Sequence, residues 1–206
     1  MADRGIFHCD LNCFFASVEL LDKPALREVP VAVCGDPASR HGIILAKNEA
    51  AKHFQVKTAE TIWQARRKCP GLVTVAPDFP QYLRFSRLGR EICCAYSDRV
   101  EGFGLDENWI DVTDRDAGFA GALRTAEEIR LRMREELGIT ASVGVAQNKV
   151  FAKLASDMKK PDAVTLITPE TFKSRVWPLP ADALLYVGRA TAEKLRRLGI
   201  ATIGEL

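Results

Sequence analysis

The stretch Gly104-Leu105-Asp106-Glu107-Asn108-Trp109-Ile110-Asp111-Val112 constrains this 206-residue chain more than any other. It sets two carboxylates side by side where one β-run turns into the next, within a hairpin expected over residues 99–113. Adjacent side chains on a regular strand point to opposite faces. At a hairpin tip both can converge on one spot. A further carboxylate, Asp10, closes the first apolar run, Ile6-Phe7-His8-Cys9. For Asp10 to reach that tip, the first strand must lie beside the hairpin in one sheet.

The order of the remaining elements agrees with such a sheet. Residues 6–11 read as a buried strand and 12–21 as a helix with Asn12 as N-cap. Short strands are expected at 31–34 and 42–46, around the turn Gly35-Asp36-Pro37-Ala38-Ser39. Helices follow at 48–54 and 59–69, a strand at 72–76 and a longer helix at 80–97. After the hairpin come a helix at 119–137, ended by Gly138 in a left-handed cap, and a strand at 139–145. A helix at 148–158 and a strand at 163–167 precede short helices and turns over 169–206. No repeat or low-complexity segment is visible. Without the insertion at about 22–78, the order is a ferredoxin-like βαββαβ with additions, an α+β architecture. It places the end of the first strand beside the central hairpin, 95 residues away.

Three carboxylates meeting there would suit two divalent cations, the chemistry of phosphoryl transfer. Composition leaves that open and excludes other classes. The chain is 47% hydrophobic and 27% charged, enough for one sizeable core and a smaller second unit. No apolar run approaches the ~20 residues that span a bilayer. Met1-Ala2-Asp3-Arg4 leads straight into a strand, so a signal peptide is not expected and a cytoplasmic protein is. Cys9, Cys13, Cys34, Cys69, Cys93 and Cys94 form no CxxC pair and read as reduced thiols. Net charge is only +2, but residues 138–206 carry 10 Lys/Arg against 6 Asp/Glu. A polyanion would touch that basic third. His8, His41 and His53 lack ligand spacing and read as structural or exposed. Trp63 and Trp177 read as packing residues, and Asp111 as hairpin surface.

Three blocks carry a resemblance. Asp10-Leu11-Asn12-Cys13-Phe14-Phe15-Ala16-Ser17-Val18-Glu19 resembles the opening motif of the Y-family translesion DNA polymerases. Leu105-Asp106-Glu107 with Trp109-Ile110-Asp111-Val112-Thr113 resembles their second carboxylate motif. Ser142-Val143-Gly144-Val145-Ala146, Asn148-Lys149 and the run from Ala152 to Pro161 resemble a third. The likeness covers essentially the whole chain and is nearest to the bacterial DNA polymerase IV (DinB-type) branch. It implies a palm at 1–12 and 79–168, small fingers at 13–78 and a helical thumb, with a helix-hairpin-helix, at 169–206. On this resemblance the chain stops inside the thumb. A little-finger domain and a sliding-clamp contact are expected beyond it.

The resemblance also implies roles. Asp10, Asp106 and Glu107 would be catalytic and, with the backbone oxygen of Leu11, hold two Mg2+ ions, for which Mn2+ can substitute. The nucleotide would meet Asn12, Cys13, Phe14, Lys52, Tyr82, Lys160 and Phe15, the last as a steric gate against ribose. Lys149, Lys153, Gly188 and Arg189 would touch DNA. Two departures stand out. Ala46, Glu49 and Lys52 lie where many relatives grip the triphosphate with Thr, Tyr and Arg, which leaves Lys47 or Tyr82 to compensate. Tyr186 replaces the first glycine of the thumb hairpin. The implied function is error-prone, template-directed addition of dNTPs to the primer strand of a primer–template DNA, away from any membrane. The alternatives are a non-catalytic DNA-damage scaffold of the same fold and a nucleotide cyclase on a similar palm.

Overall fold

The computed structural model describes residues 4–36, 42–115 and 118–206. Residues 37–39 of the expected turn, and His41, lie outside the described residues. Eight strands and eight α-helices are described. In chain order they are β1 (Ile6–Leu11), α1 (Phe14–Glu19), β2 (Val31–Cys34), β3 (Ile44–Lys47), α2 (Glu49–His53), α3 (Ile62–Lys68), β4 (Val73–Val75) and α4 (Phe79–Cys94). Then come β5 (Val100–Phe103), β6 (Glu107–Asp111), α5 (Gly118–Leu137), β7 (Ala141–Ala146), α6 (Lys149–Met158), β8 (Val164–Leu166), α7 (Phe172–Val176) and α8 (Arg189–Arg197). The fold is α+β, as the sequence reading expects.

The main sheet runs β5-β6-β1-β7-β8. β1 is antiparallel to both neighbours, and β8 adds to β7 in parallel. The first four strands have the ferredoxin-like order. β1 is central and buried along its whole length. Its alternation sorts two chemistries. Phe7, Cys9 and Leu11 enter the core shared with Ile92 of α4 and with Ile129 and Met133 of α5. Ile6, His8 and Asp10 take the other face. There Ile6 packs with Trp109, Ala152 and Leu154, while His8 and Asp10 bond side chains of α6.

A second sheet, β3-β2-β4, has its own core of Ala32, Cys34, Ile44, Ala51, Val56, Ile62 and Ala65, among others. Asn48 and Thr61 cap α2 and α3 by accepting from Ala51 N and Gln64 N, and Thr61 forms a capping box with Gln64. α1 is shorter than the expected 12–21, and Asn12 is not its cap. The cap position falls on Cys13, at φ 48° and with no side-chain cap bond. The Asn12 amide is used elsewhere. It exchanges hydrogen bonds with Ser142 Oγ (3.0 and 2.9 Å) and accepts from Asp162 N (3.0 Å). Asn12 thus ties the end of β1 to β7 and to the loop after α6.

Gly138 ends α5 at φ +69°, as its position predicts. Gly144 on β7 permits a close crossing: a Cβ there would lie 1.9 Å from Ala152 O and 2.4 Å from Ser156 N, both backbone of α6. Over 169–206, α7, a 3-10 turn at Ala181–Ala183, the loop to Gly188 and α8 stand where the hairpin is read. Tyr186 adopts φ +69° there and is exposed. All six cysteines are free thiols. Among the described residues, no helix is long and apolar enough to cross a membrane.

Candidate active site

The site is built where β1, the β5–β6 turn and α6 meet. β1 pairs with β6 so that Asp10 lies opposite Glu107, and Leu11 N donates to Asp106 O at 3.0 Å. That register puts all three expected carboxylates at one end of the sheet. Asp10 is 5% exposed. α6, capped by Asn148 accepting from Phe151 N, and the loop that follows it bring two cations from the other side. Lys153 Nζ donates to Glu107 (2.8 Å) and Asp10 (3.2 Å) and pairs with Asp157 (3.1 Å). Lys160 Nζ donates to Asp10 at 2.6 Å and pairs with Asp157 at 2.9 Å.

Crowded carboxylates in partial burial raise one another's pKa. Burial, then Asp10 and Glu107, push Asp106 up to about 6. Burial and the hydrogen bond with Glu107 raise Asp10 against the pull of the two lysines. Burial alone would raise Glu107, but hydrogen bonds with His8, Asp10 and Lys153 hold it well below the usual carboxylate range. Burial would lower Lys153, and Asp10, Glu107 and Asp157 reverse that, keeping it charged. The cluster thus holds an ionised Glu107, two less acidic aspartates and two ammoniums.

A cavity of about 350 Å3 opens from this cluster. Leu11, Cys13, Phe14 and Phe15 line it from the β1–α1 side. Leu45, Ala46, Lys47, Lys52 and Thr58 line it from the small sheet. Phe15 lies flat on Tyr82, with ring centroids 4.1 Å apart and planes 8° apart, and Phe79 meets it edge-on at 5.9 Å. Phe15 is therefore a fixed wall.

Hard oxygen donors of this kind suit Mg2+ or Mn2+. Among the described residues no group of three His, Cys, Asp or Glu side chains already forms a metal-ligand cluster. Lys153 and Lys160 supply the positive charge between the carboxylates instead. The residues fit divalent cations in that the buried, mutually repelling carboxylates already need cationic charge at that spot.

Residues 9–157, from β1 to the end of α6, match a family model described as the impB/mucB/samB family. This chain belongs to that family. It is 57% identical over 203 residues to DNA polymerase IV of Acetivibrio thermocellus, covering 98% of this chain and 51% of the relative. It is 45% identical over 203 residues to DNA polymerase IV 1 of Bacillus subtilis, covering 98% and 49%. Among solved structures it is similar to DinB from Sulfolobus solfataricus, with TM-score 0.89 and 28% identity over 96% of this chain and 58% of that one. An insertion ternary complex of Dbh DNA polymerase matches with TM-score 0.90 and 28% identity, at the same coverage. The chain spans about half the length of the curated relatives it matches.

Against this family frame, several expected site residues stand differently. Tyr82 is fully buried and its hydroxyl donates to Glu19 Oε1 at 2.6 Å. It backs Phe15 and has no free hydroxyl for a ligand. Asn12 N–H is taken by Thr140 O, whereas among the described residues the N–H groups of Cys13, Phe14 and Phe15 show no backbone acceptor. The Phe14 ring is buried in the main core. Cys13 donates to Glu49 Oε1 at 3.1 Å, and burial, then Glu49, raises its thiol pKa to about 11. Glu49 in turn holds Lys52 at 2.7 Å, so the lysine at the cavity edge is paired. Lys47 Nζ donates to Thr58 Oγ1 at 2.9 Å on the same wall.

The expected DNA contacts divide. Lys153 sits inside the carboxylate cluster and is not a free surface lysine. Lys149, one turn earlier, pairs with Glu101 (2.6 Å) and covers the Trp109 ring (4.5 Å). Gly188 caps α8 without a side-chain bond, and Arg189 pairs with Glu193 while 93% of its side chain stays exposed. The loop from Leu184 to Gly188 faces Lys153 and Asp157 across a cleft of about 450 Å3. Two residues support the site in ways the sequence did not assign: His8, expected to be structural or exposed, and Asp157. His8 is buried, accepts or donates at Ser156 Oγ (2.9 Å) through Nδ1, and faces Glu107 Oε2 at 3.6 Å. Its place two residues before Asp10, on the same strand face, is the signal that could have found it. Asp157, four residues after Lys153 on α6, was equally readable as a partner. His53 is exposed, as one of the two expected alternatives.

Proposed function

We propose that the chain carries the catalytic centre of an error-prone, translesion-type DNA polymerase, adding dNTPs to a primer 3′ end on a DNA template. The observation that supports it best is the convergence of Asp10, Asp106 and Glu107 at the mouth of a cavity walled by Phe15. Membership of a family whose relatives are named DNA polymerase IV points the same way.

In this reading Asp10, Asp106 and Glu107, with the backbone oxygen of Leu11, hold two divalent cations, Mg2+ or Mn2+. Bound there, such ions lower the pKa of an attacking hydroxyl and offset triphosphate charge. The chain's own residues do the rest. Lys160, which donates to Asp10 at the cavity mouth, is the ammonium placed to meet the triphosphate. His8, Asp10 and Lys153 together keep Glu107 ionised. The first-turn N–H groups of Cys13 to Phe15 face the phosphates, with Lys47 and Lys52 at the edge. Phe15, held flat by Tyr82, lies under the sugar and leaves no room for a 2′-hydroxyl. Residues 1–12 with 79–168 act as palm, 13–78 as fingers and 169–206 as thumb. The sliding-clamp contact and the cytoplasmic, DNA-associated setting belong to the same proposal.

A primer-extension assay with Mg2+ and dNTPs tests it. Template-dependent extension that disappears in a folded Asp106→Ala variant is expected. Extension by the variant equal to that of the parent chain overturns the reading.

A further inference from the structure

The small sheet presents an aromatic–cationic surface that the carboxylate site does not use. α3 starts at the Thr61 capping box and buries Ile62 and Ala65 in the small core. That helical spacing turns Trp63 and Arg67, themselves one turn apart, toward solvent. Trp63 is 66% exposed, which corrects its expected role as a packing residue. Trp177, by contrast, is 42% exposed and packs against Phe172. The Arg67 guanidinium carbon lies 4.9 Å from the centroid of the Trp63 ring. Among the described residues no carboxylate pairs with Arg67.

The surrounding charge is one-sided. Residues 42–75 hold 6 Lys/Arg against 2 Asp/Glu. Both acids are already engaged, Glu49 by Lys52 and Glu60 by Lys68. The positive charge of Lys47, Lys57, Arg66 and Arg67 is left without acids of this segment to offset it. A large flat ring kept in water beside unbalanced cations suits a polyanion that carries free aromatic faces. Duplex nucleic acid hides its base faces in the stack, and a single strand exposes them.

Position links this surface to the site. Ile43 bridges Thr61, the residue that caps α3. Two residues on, Leu45 begins the part of β3 that lines the cavity. That is about 7 Å of strand. The N-terminal cap of α3 and the cavity-lining part of β3 are thus held close together.

We propose that Trp63 and Arg67 form a stacking platform for unpaired bases of single-stranded nucleic acid, the template strand ahead of the primer end. The platform rests on the polymerase reading and deepens it. One template base stacks on the open face of the Trp63 indole while the guanidinium covers the ring from the other side and meets a backbone phosphate.

The test uses fluorescence anisotropy of the 206-residue chain, at low salt, with two labelled primer–template duplexes. One has a long unpaired template overhang and the other is blunt. The parent chain is expected to prefer the overhang. Trp63→Ala should lose that preference by about tenfold, the loss of one stacked base, with blunt-end binding and thermal unfolding unchanged. Trp63→Phe should restore most of it. Arg67→Ala should also flatten the salt dependence by about one phosphate contact. If the parent binds neither duplex, the polymerase reading falls and the platform with it. If the parent prefers the overhang and Trp63→Ala keeps that preference, only the platform is overturned, which is also the outcome for a surface that serves a protein partner.

Discussion

At the residue scale, the decisive feature is charge compressed into a small volume. Asp106 sits where burial and two neighbouring carboxylates raise its pKa to about 6, against 3.8 for the free side chain. A raised acid binds its proton more tightly folded than unfolded. Its ionisation therefore destabilises the fold above pH 6, and that loss is relieved as pH falls from about 6 toward 4. In metal-free buffer the parent chain should gain about 1–3 kcal/mol over that window, read by urea unfolding. Asp106→Asn should be more stable than the parent at neutral pH and gain less than the parent across the window. Added Mg2+ or Mn2+ should raise the parent's melting temperature and hardly move the variant's. A variant that melts below the parent at neutral pH would show that Asp106 is not held against repulsion. Phe15 supports a second prediction. Its ring is braced by Tyr82 and Phe79, so Phe15→Ala should open the wall without disturbing the carboxylates. The preference for dNTP over rNTP should drop by at least about tenfold, or 1.4 kcal/mol, in single-nucleotide insertion. Unchanged selectivity would make Phe15 a packing residue only.

At the element scale, α6 matters most, because it delivers Lys153 and Asp157 to β1 and β6. Its seat depends on Gly144, where the backbones of β7 and α6 come close. Gly144→Ala places a methyl 1.9 Å from Ala152 O, which no rotamer change can relieve. The helix must lift, taking Lys153 away from Glu107. We expect a loss of about 3 kcal/mol or more in denaturant unfolding, and no primer extension. Asn148→Ala at the N-cap of the same helix should cost only about 1 kcal/mol and leave extension measurable. Comparable losses in the two variants would mean that the crossing is looser than the geometry indicates.

At the scale of the whole molecule, the charge balance limits how tightly residues 1–206 would hold DNA on the proposed polymerase reading. Net charge is +2, and many cations are spent on internal pairs such as Lys153–Glu107 and Lys149–Glu101. Binding to DNA loses affinity with salt in proportion to the phosphates neutralised. The Acetivibrio thermocellus relative, of which this chain spans 51%, offers a direct comparison. In salt titrations with one primer–template, this chain should bind more weakly and with a shallower slope than that full-length relative. Equal affinities and slopes would show that residues 1–206 already make the full set of phosphate contacts.

Much of this was legible from residue order alone. Alternation along Ile6–Leu11, the turn before Glu107, the left-handed cap at Gly138 and the βαββαβ order are local signals, and local signals survive in one dimension. They suffice to bring Asp10 beside Glu107, because strand pairing leaves few registers open. The sequence by itself therefore determined the sheet, its hairpin and the meeting of three carboxylates. It did not determine what each neighbouring polar group would be occupied with. Asn12 reads as a helix cap, yet spends its amide on Ser142, 130 residues away. Tyr82 reads as a ligand for phosphate, yet is buried against Phe15 and bonded to Glu19. Lys153 reads as a DNA contact, yet answers Asp10 and Glu107, and Lys160 reaches Asp10 across 150 residues. Trp63 reads as core, yet α3 turns Ile62 and Ala65 inward and leaves the indole in water. These outcomes depend on which helix face packs and how closely two backbones approach. Both are set by volume and contact in three dimensions, so only the tertiary structure decided them.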